Sequence, residues 1–424
     1  MQRYHIINSS HPCTEIVLEV NQLRSYFNQG GYREASGPGN ADIIVISTCA
    51  FNQKYETDAV TSIHKALAER APHARIVVSG CLSKINPKLF AGLKEKYEIE
   101  DLPPRNMEKI EQMVPLVSVG ANPEPLKIND IVPNYVTLDE YRDNQEFMAG
   151  IRVKTFYQRL RKLLPFIKPP NWTYSIPMPD WYFIRGGMGC MGKCSYCAIK
   201  RARGNIKSYE LAHIIDQLRH AIDNGMKNIA FAGDDLGCWG IDRDMSLPDL
   251  LNEVVRIPGD FQVDLRFVEP AYLLEYFDEL LPVFASGKIV SFGSPIESGS
   301  QRILNLMKRN YDIDDVISAT NDILKSTRVK AISSIIMTGF PTEEVEDYSA
   351  SFDLIGRSRI GLWQILSYEA RPNTPSEALE PKVDPQIKKT RRDRLENHAR
   401  LVNFLGVPSR VSEKMVAMRF GEMV

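Results

Sequence analysis

From the amino terminus the chain alternates short apolar runs with longer amphipathic stretches. Residues 3 to 8 read as a short strand, 15 to 28 as an amphipathic helix closing on Gly30-Gly31, and Asp42 to Ser47 as a buried strand. A helix over roughly 55 to 70 and a second buried strand, Arg75-Ile76-Val77-Val78-Ser79, continue the βαβαβ alternation of an open parallel sheet. Residues 1 to 118 are therefore predicted to form a doubly wound domain. The periodicity fades over 119 to 178, where prolines mix with charged and aromatic segments. This stretch reads as a connector or insertion, and its basic run Arg159-Leu160-Arg161-Lys162 as an exposed helix face.

From Trp181 the alternation resumes, with strands near 181 to 185, 228 to 232, 262 to 268, 288 to 292, 332 to 337 and 361 to 367, and helices near 208 to 224 and 247 to 256. Over 179 to 380 that pattern predicts a βα barrel, complete or partial. Residues 381 to 424 read as a surface helix rich in Lys, Arg, Glu and Leu, then a tail. The expected fold class is α/β: a doubly wound parallel-sheet domain followed by a (βα) barrel.

Composition narrows the function classes. A chain of 424 residues has room for two or three cores. Its 43% hydrophobic and 25% charged residues are those of a soluble globular protein, and no apolar run reaches membrane-spanning length. The start, Met1-Gln2-Arg3-Tyr4-His5-Ile6-Ile7, lacks the sections of a signal peptide, so the cytoplasm is the expected compartment and no membrane partner is expected. A formal net charge of -1 leaves no global footprint for nucleic acid. Seven cysteines, an odd number without export signals, argue for metal or redox use over a disulfide framework.

Three of those cysteines, Cys190, Cys194 and Cys197, fall within eight residues, directly after a predicted strand and among glycines. Three thiolates in a tight loop can hold a four-iron cluster while leaving one iron open to another ligand. A structural zinc site would want a fourth ligand, and no further Cys or His lies at zinc-finger spacing. The spacing C-x-x-x-C-x-x-C, with Tyr196 before the last cysteine, resembles the signature of the radical S-adenosylmethionine (SAM) superfamily. That resemblance implies that SAM chelates the open iron and is cleaved to a 5'-deoxyadenosyl radical. It also implies SAM-positioning residues: Gly233-Asp234-Asp235 resembles the turn that holds the methionine amino group, and Ile336 to Pro341, including Thr338, the adenine-side strand.

Cys13, Cys49 and Cys81 are far apart in the chain, yet each sits at or just beyond the carboxyl end of a predicted parallel strand, the edge where open α/β sheets bind ligands. A second, three-thiolate cluster is the expectation; the alternative is three buried, inert thiols. Here the resemblance narrows to the radical SAM methylthiotransferase family. Ser47-Thr48-Cys49 and Ser79-Gly80-Cys81 resemble its second and third cysteine motifs. Arg203-Gly204, Pro295-Ile296-Glu297-Ser298-Gly299-Ser300, Met307-Lys308-Arg309, Gly339-Phe340-Pro341 and Arg371-Pro372-Asn373-Thr374 resemble its barrel motifs. By that resemblance Tyr196, Glu297, Ser298 and Arg309 join the SAM-binding set, two four-iron four-sulfur clusters and SAM are the cofactors, and an electron donor such as flavodoxin or ferredoxin is a partner. No catalytic side chain is assigned.

The chain departs from that family in two places. The first motif reads His11-Pro12-Cys13-Thr14-Glu15 without the usual Gln-x-Asn, and only about twenty residues follow the last predicted helix, too few for the family's small substrate-binding β-barrel. With the near-neutral charge, this points to C-S bond formation on a peptide or small molecule and makes nucleic acid an unexpected partner. Transfer RNA methylthiolation, an auxiliary cluster with another oxidative or rearranging task, and a non-catalytic iron-sulfur carrier are the alternatives. Cys238 has no partner at ligand spacing and reads as structural.

Overall fold

The computed structural model describes residues 2–9, 13–120, 123–132, 151–157, 159–160, 164, 181–404 and 407–420. The chain divides into two compact units. The first is Met1–Asn144 with Ala198–Asn205 and Arg371–Asn373; the second is Gln145–Cys197, Ile206–Ala370 and Thr374–Val424. No helix among the described residues is long and apolar enough to cross a membrane.

In the first unit, strands β1 (Arg3–Asn8), β2 (Arg33–Glu34), β3 (Ile43–Thr48), β4 (Arg75–Gly80) and β5 (Glu100–Leu102) form a parallel sheet in the order β2-β1-β3-β4-β5. Alternation along the central strands serves two cores. Ile44, Ile46, Ile76 and Val78 pack with Ala59, Ile63 and Ala66 of helix α2 (Gln53–Glu69), while Ile43, Val45 and Val77 pack with Ile16, Val20 and Leu23 of helix α1 (Thr14–Gln29). Burial on both faces is why these strands read as unbroken apolar runs, and each buried Val or Ile side chain contributes about 1.5–3 kcal/mol. Asn52 caps α2 by accepting from the Tyr55 N–H at 2.9 Å.

The unit extends past residue 118. Ile128 and Ile131 are buried in its α1-side core, and Gln22 Nε2 donates to their carbonyls at 2.7 and 3.1 Å. The rest of the expected connector, 133 to 178, and two of the three basic residues in its Arg159–Lys162 run lie largely outside the described residues.

In the second unit, β6 (Trp181–Arg185), β9 (Asn228–Ala232), β10 (Gln262–Leu265), β11 (Ile289–Gly293), β12 (Ala331–Thr338) and β13 (Leu362–Ser367) form a six-stranded parallel sheet in chain order. A short antiparallel pair, β7 (Gly187–Met188) and β8 (Lys207–Ser208), stands apart. With β6 and β13 at the edges of the sheet, the barrel is partial. Tyr182, Ile184, Ile229, Phe231, Val263 and Leu265 pack outward among the helices. By the period of two, Arg185, Ala230, Ala232 and Asp264 face the interior.

A helix over Pro385–Ala399, capped by Asp384, and a second over Ser409–Phe420 complete the unit. Fully buried His398 joins them: its Nδ1 lies 2.9 Å from Ser412 Oγ, and its ring stacks on Phe352 at 3.9 Å between centroids. Desolvation lowers its pKa from 6.5 to about 4. The unfolded chain therefore binds more protons between those values, and the stability held above pH 6.5 is lost as pH falls toward 4. Thermal unfolding from pH 7 to 4 should show His398→Gln losing less stability than wild type, by up to about 3 kcal/mol.

Candidate functional site

Two groups of thiols stand at strand ends. In the first unit β1, β3 and β4 are sheet neighbours, so the residues that follow them share one edge. Cys49 and Cys81 come directly after β3 and β4, and Cys13 is the residue from which α1 starts, its carbonyl accepting from the Val17 N–H at 3.0 Å. The polar residues of the two motifs lock the strand ends together. Thr48 Oγ1 donates to the Ser79 carbonyl at 2.6 Å, and the Cys81 N–H donates to the Thr48 carbonyl at 3.0 Å. Gly80 adopts φ +97°, and a Cβ there would lie 2.2 Å from the Thr48 carbonyl oxygen, so only glycine permits the approach.

Cys49 and Cys81 are buried; Cys13 keeps exposed surface, although its sulfur is still desolvated. Desolvation pushes all three thiols up, Cys13 to about 12, and the charge of Arg203 opposes that rise at each. Arg203 is buried between Glu19 at 2.9 Å and Glu15 at 3.9 Å, and buried Arg371 pairs with Glu56. Arg105 Nη1 holds the carbonyls of Arg203 and Asn205, each at 2.6 Å. Arg203-Gly204 and Arg371, expected as barrel motifs, therefore belong to the first unit. They are spliced into it by ion pairs that sequence periodicity cannot show. His11 lies outside the described residues.

In the second unit the loop after β6 carries Cys190, Cys194 and Cys197. A Cβ on Gly192 would sit 3.6 Å from Cys194 Sγ and 3.7 Å from Cys190 Sγ, so these two sulfurs converge over the glycine. The loop is tied down on two sides. The Gly189 N–H donates to Asp234 Oδ2 at 2.7 Å; Ser195 donates from its N–H to the Met307 carbonyl at 3.0 Å and from Oγ to the Leu306 carbonyl at 2.7 Å. Asp235, pushed up to about 6 by burial, accepts from the Gly237 and Glu269 N–H groups at 2.9 and 3.1 Å. The Gly233-Asp234-Asp235 turn thus braces the cysteine loop and its own backbone. Cys238 Sγ is buried and donates to the Asp235 carbonyl at 3.3 Å, a structural contact.

Beside the loop, buried Arg309 donates to Tyr196 Oη at 2.7 Å, to Glu297 Oε1 at 2.9 Å and to Glu269. Burial pushes the Glu297 carboxyl up to about 7 against an opposing side-chain contribution from Tyr196, and Glu297 Oε2 is buried with no partner among the described residues. Glu297 stands at φ +73°, its N–H donating to the Ile335 carbonyl and its carbonyl accepting from the Met337 N–H, both at 2.8 Å, so the Pro295–Ser300 motif is laid along β12. Ser298 Oγ accepts from the Ser300 N–H at 3.1 Å. Ile336 packs its side chain into the outer core, leaving only its backbone toward the motif. Thr338 Oγ1 donates to Glu343, which also accepts from the Gly339 N–H and from Arg391 Nη1, fixing the Gly339-Phe340-Pro341 turn. Sequence reasoning missed Glu269, Glu343 and Arg391. Glu269 could have been sought, as an acid just past a barrel strand.

The profile of the Radical SAM superfamily matches residues 184–355, and that of Uncharacterized protein family UPF0004 matches residues 5–100. The threonylcarbamoyladenosine tRNA methylthiotransferase MtaB of Aquifex aeolicus is 28% identical over 383 residues, 89% of this chain and 84% of that protein. A probable threonylcarbamoyladenosine tRNA methylthiotransferase of Archaeoglobus fulgidus is 28% identical over 91% of this chain and 81% of its own. The chain carries a radical SAM domain, and the relatives it resembles along most of its length are tRNA methylthiotransferases.

The radical SAM methyltransferase TsrM from Kitasatospora setae, with a TM-score of 0.57 at 13% identity over 89% of this chain and 77% of that one, shares the fold. The enzyme uses SAM and two four-iron four-sulfur clusters. Its residues fit those groups. Each thiol set offers three sulfurs at a strand-end edge, and the partnerless Glu297 oxygen lies beside the Cys190–Cys197 loop, where a polar ligand would satisfy it. Among the described residues no three His, Cys, Asp or Glu side chains gather closely enough for a single metal ion.

Proposed function

We propose that this enzyme is a tRNA methylthiotransferase acting on threonylcarbamoyladenosine. The reading rests above all on relatives of that name, which align with about nine-tenths of this chain. It replaces the expectation of a peptide or small-molecule substrate with nucleic acid an unexpected partner, and takes up the alternative of transfer RNA methylthiolation. Net charge was a poor guide because it sums the whole chain: besides the buried Arg203, residues 190 to 209 carry Lys193, Lys200, Arg201 and Lys207 and no acid.

In this reading Cys190, Cys194 and Cys197 hold the cluster that binds SAM, and Cys13, Cys49 and Cys81 hold the second. When bound, these groups supply the hydrogen-abstracting radical and the sulfur. The chain's own residues set the stage. Asp234 and Ser195 hold the cysteine loop, while Tyr196, Glu297 and Arg309 form a buried polar wall able to receive the zwitterionic end of SAM. Gly233, Asp235, Ser298, Ile336 and Thr338 shape the surrounding turns, and Arg203 offsets negative charge at the first-unit thiols. A flavodoxin or ferredoxin supplies the electron.

The test is nucleoside mass spectrometry of tRNA incubated with the anaerobically reconstituted enzyme, SAM and reductant. A methylthio product from tRNA bearing threonylcarbamoyladenosine, absent when the tRNA lacks that modification, is the expected result. 5'-Deoxyadenosine formation with no tRNA-derived product would overturn the reading.

A further inference from the structure

The mouth of the partial barrel holds two residues that neither the cofactor set nor the core explains. Phe267 follows β10, is 42% exposed, and stands at φ +62°, a left-handed conformation that bulky residues avoid. Its backbone is held there from two sides: its carbonyl accepts from the Leu236 N–H at 2.8 Å, and the next N–H, of Val268, donates to the Gly293 carbonyl at 2.7 Å. The ring lies against Gly293, within van der Waals reach of where a Cβ would stand. An exposed aromatic ring kept in a costly backbone conformation is a feature the fold maintains against strain.

The preceding residue, Arg266, shares the interior face of β10 with Asp264, because Val263 and Leu265 face the outer core. Asp264 is almost fully buried; it accepts from Ser291 Oγ and lies 2.6 Å from Arg266 Nε. That pairing orients the guanidinium and leaves Arg266 Nη2 buried with no hydrogen-bond partner among the described residues. An unsatisfied buried donor of this kind calls for a ligand or water. Lys154 adds a second positive charge felt by Asp264, and Arg185 faces the same interior from β6. The unpartnered Arg266 Nη2, a charged donor, favours an anionic ligand group. Three residues beyond Arg266, Glu269 joins Arg309, so this corner adjoins the SAM-side wall.

We propose that Phe267 and Arg266 form the substrate-reading corner of the enzyme, with the Phe267 ring stacking on a purine and Arg266 Nη2 receiving a carboxylate carried by the substituent on that base. This deepens, and rests on, the reading of threonylcarbamoyladenosine as substrate: its threonyl group bears such a carboxylate, whereas a dimethylallyl group is hydrocarbon.

Binding of the free nucleoside threonylcarbamoyladenosine and of adenosine to the reconstituted full chain, measured by calorimetry, tests the corner without tRNA. Phe267→Ala should weaken both nucleosides about ten-fold, the scale of one lost base stack, and Phe267→Tyr should restore them. Arg266→Gln should weaken threonylcarbamoyladenosine about ten-fold and leave adenosine unchanged, with Arg266→Lys recovering part of the loss. No measurable nucleoside binding by wild type, or equal effects of Arg266→Gln on both nucleosides, overturns the corner. If tRNA is methylthiolated but the variants do not discriminate, the corner is wrong and the function stands. If the variants discriminate but no tRNA product forms, the function is wrong and the corner stands.

Discussion

Cys194→Ala protein, reconstituted anaerobically, is expected to hold about four irons where the wild type holds about eight, and to form no 5'-deoxyadenosine. The sulfur of Cys194 faces that of Cys190 over Gly192, in a loop braced by Asp234 and by the Ser195 contacts to Leu306 and Met307. Alanine leaves those braces intact, so the loop keeps its course while one of three ligands is gone. SAM cleavage requires the open iron, so its loss should be complete, whereas a fault of substrate binding would only lower the rate. Iron analysis and chromatography of the SAM products check it. Full iron content with undiminished cleavage would remove the assignment.

The triple variant Cys13→Ala, Cys49→Ala, Cys81→Ala should separate the two halves of the reaction. We expect iron to fall to about four, 5'-deoxyadenosine to persist when the protein is given SAM and reductant, and no methylthio product to appear. The fold should survive. Cys49 and Cys81 are packed among apolar side chains of the two sheet cores, so alanine there costs about 1 kcal/mol each in lost packing, and the Thr48-to-Ser79 and Cys81-to-Thr48 hydrogen bonds use none of the sulfurs. Unchanged iron content would show that the first-unit thiols are inert. Loss of all iron would show that the two thiol sets cannot be loaded separately.

Much of this was legible in the chain. Periodicity placed β3, β4, β6 and β9 within a residue or so, because strands buried on both faces must be apolar throughout. The Cys190–Cys197 spacing was legible because one loop supplies all three thiols. The convergence of Cys13, Cys49 and Cys81 could be inferred only from their strand-end positions; the order β1-β3-β4 then makes those three strands neighbours. Global charge misdirected the choice of substrate, since a sum over the whole chain is blind to where its charges lie.

The α/β class and the two runs of strands were readable from local periodicity, and the Cys190, Cys194 and Cys197 triplet from spacing within one loop. Only the tertiary structure decided that Ala198–Asn205 and Arg371–Asn373 belong with the first unit, where Arg203 meets Glu19 and Arg371 meets Glu56. It also decided that Arg309 is shared among Tyr196, Glu297 and Glu269, and that Phe267 is held strained at the barrel mouth. The physical reason is common to all of these. Each is a contact between residues that are remote in the chain, formed where burial makes a charge or a backbone group find a partner, and no local pattern encodes which partner that will be.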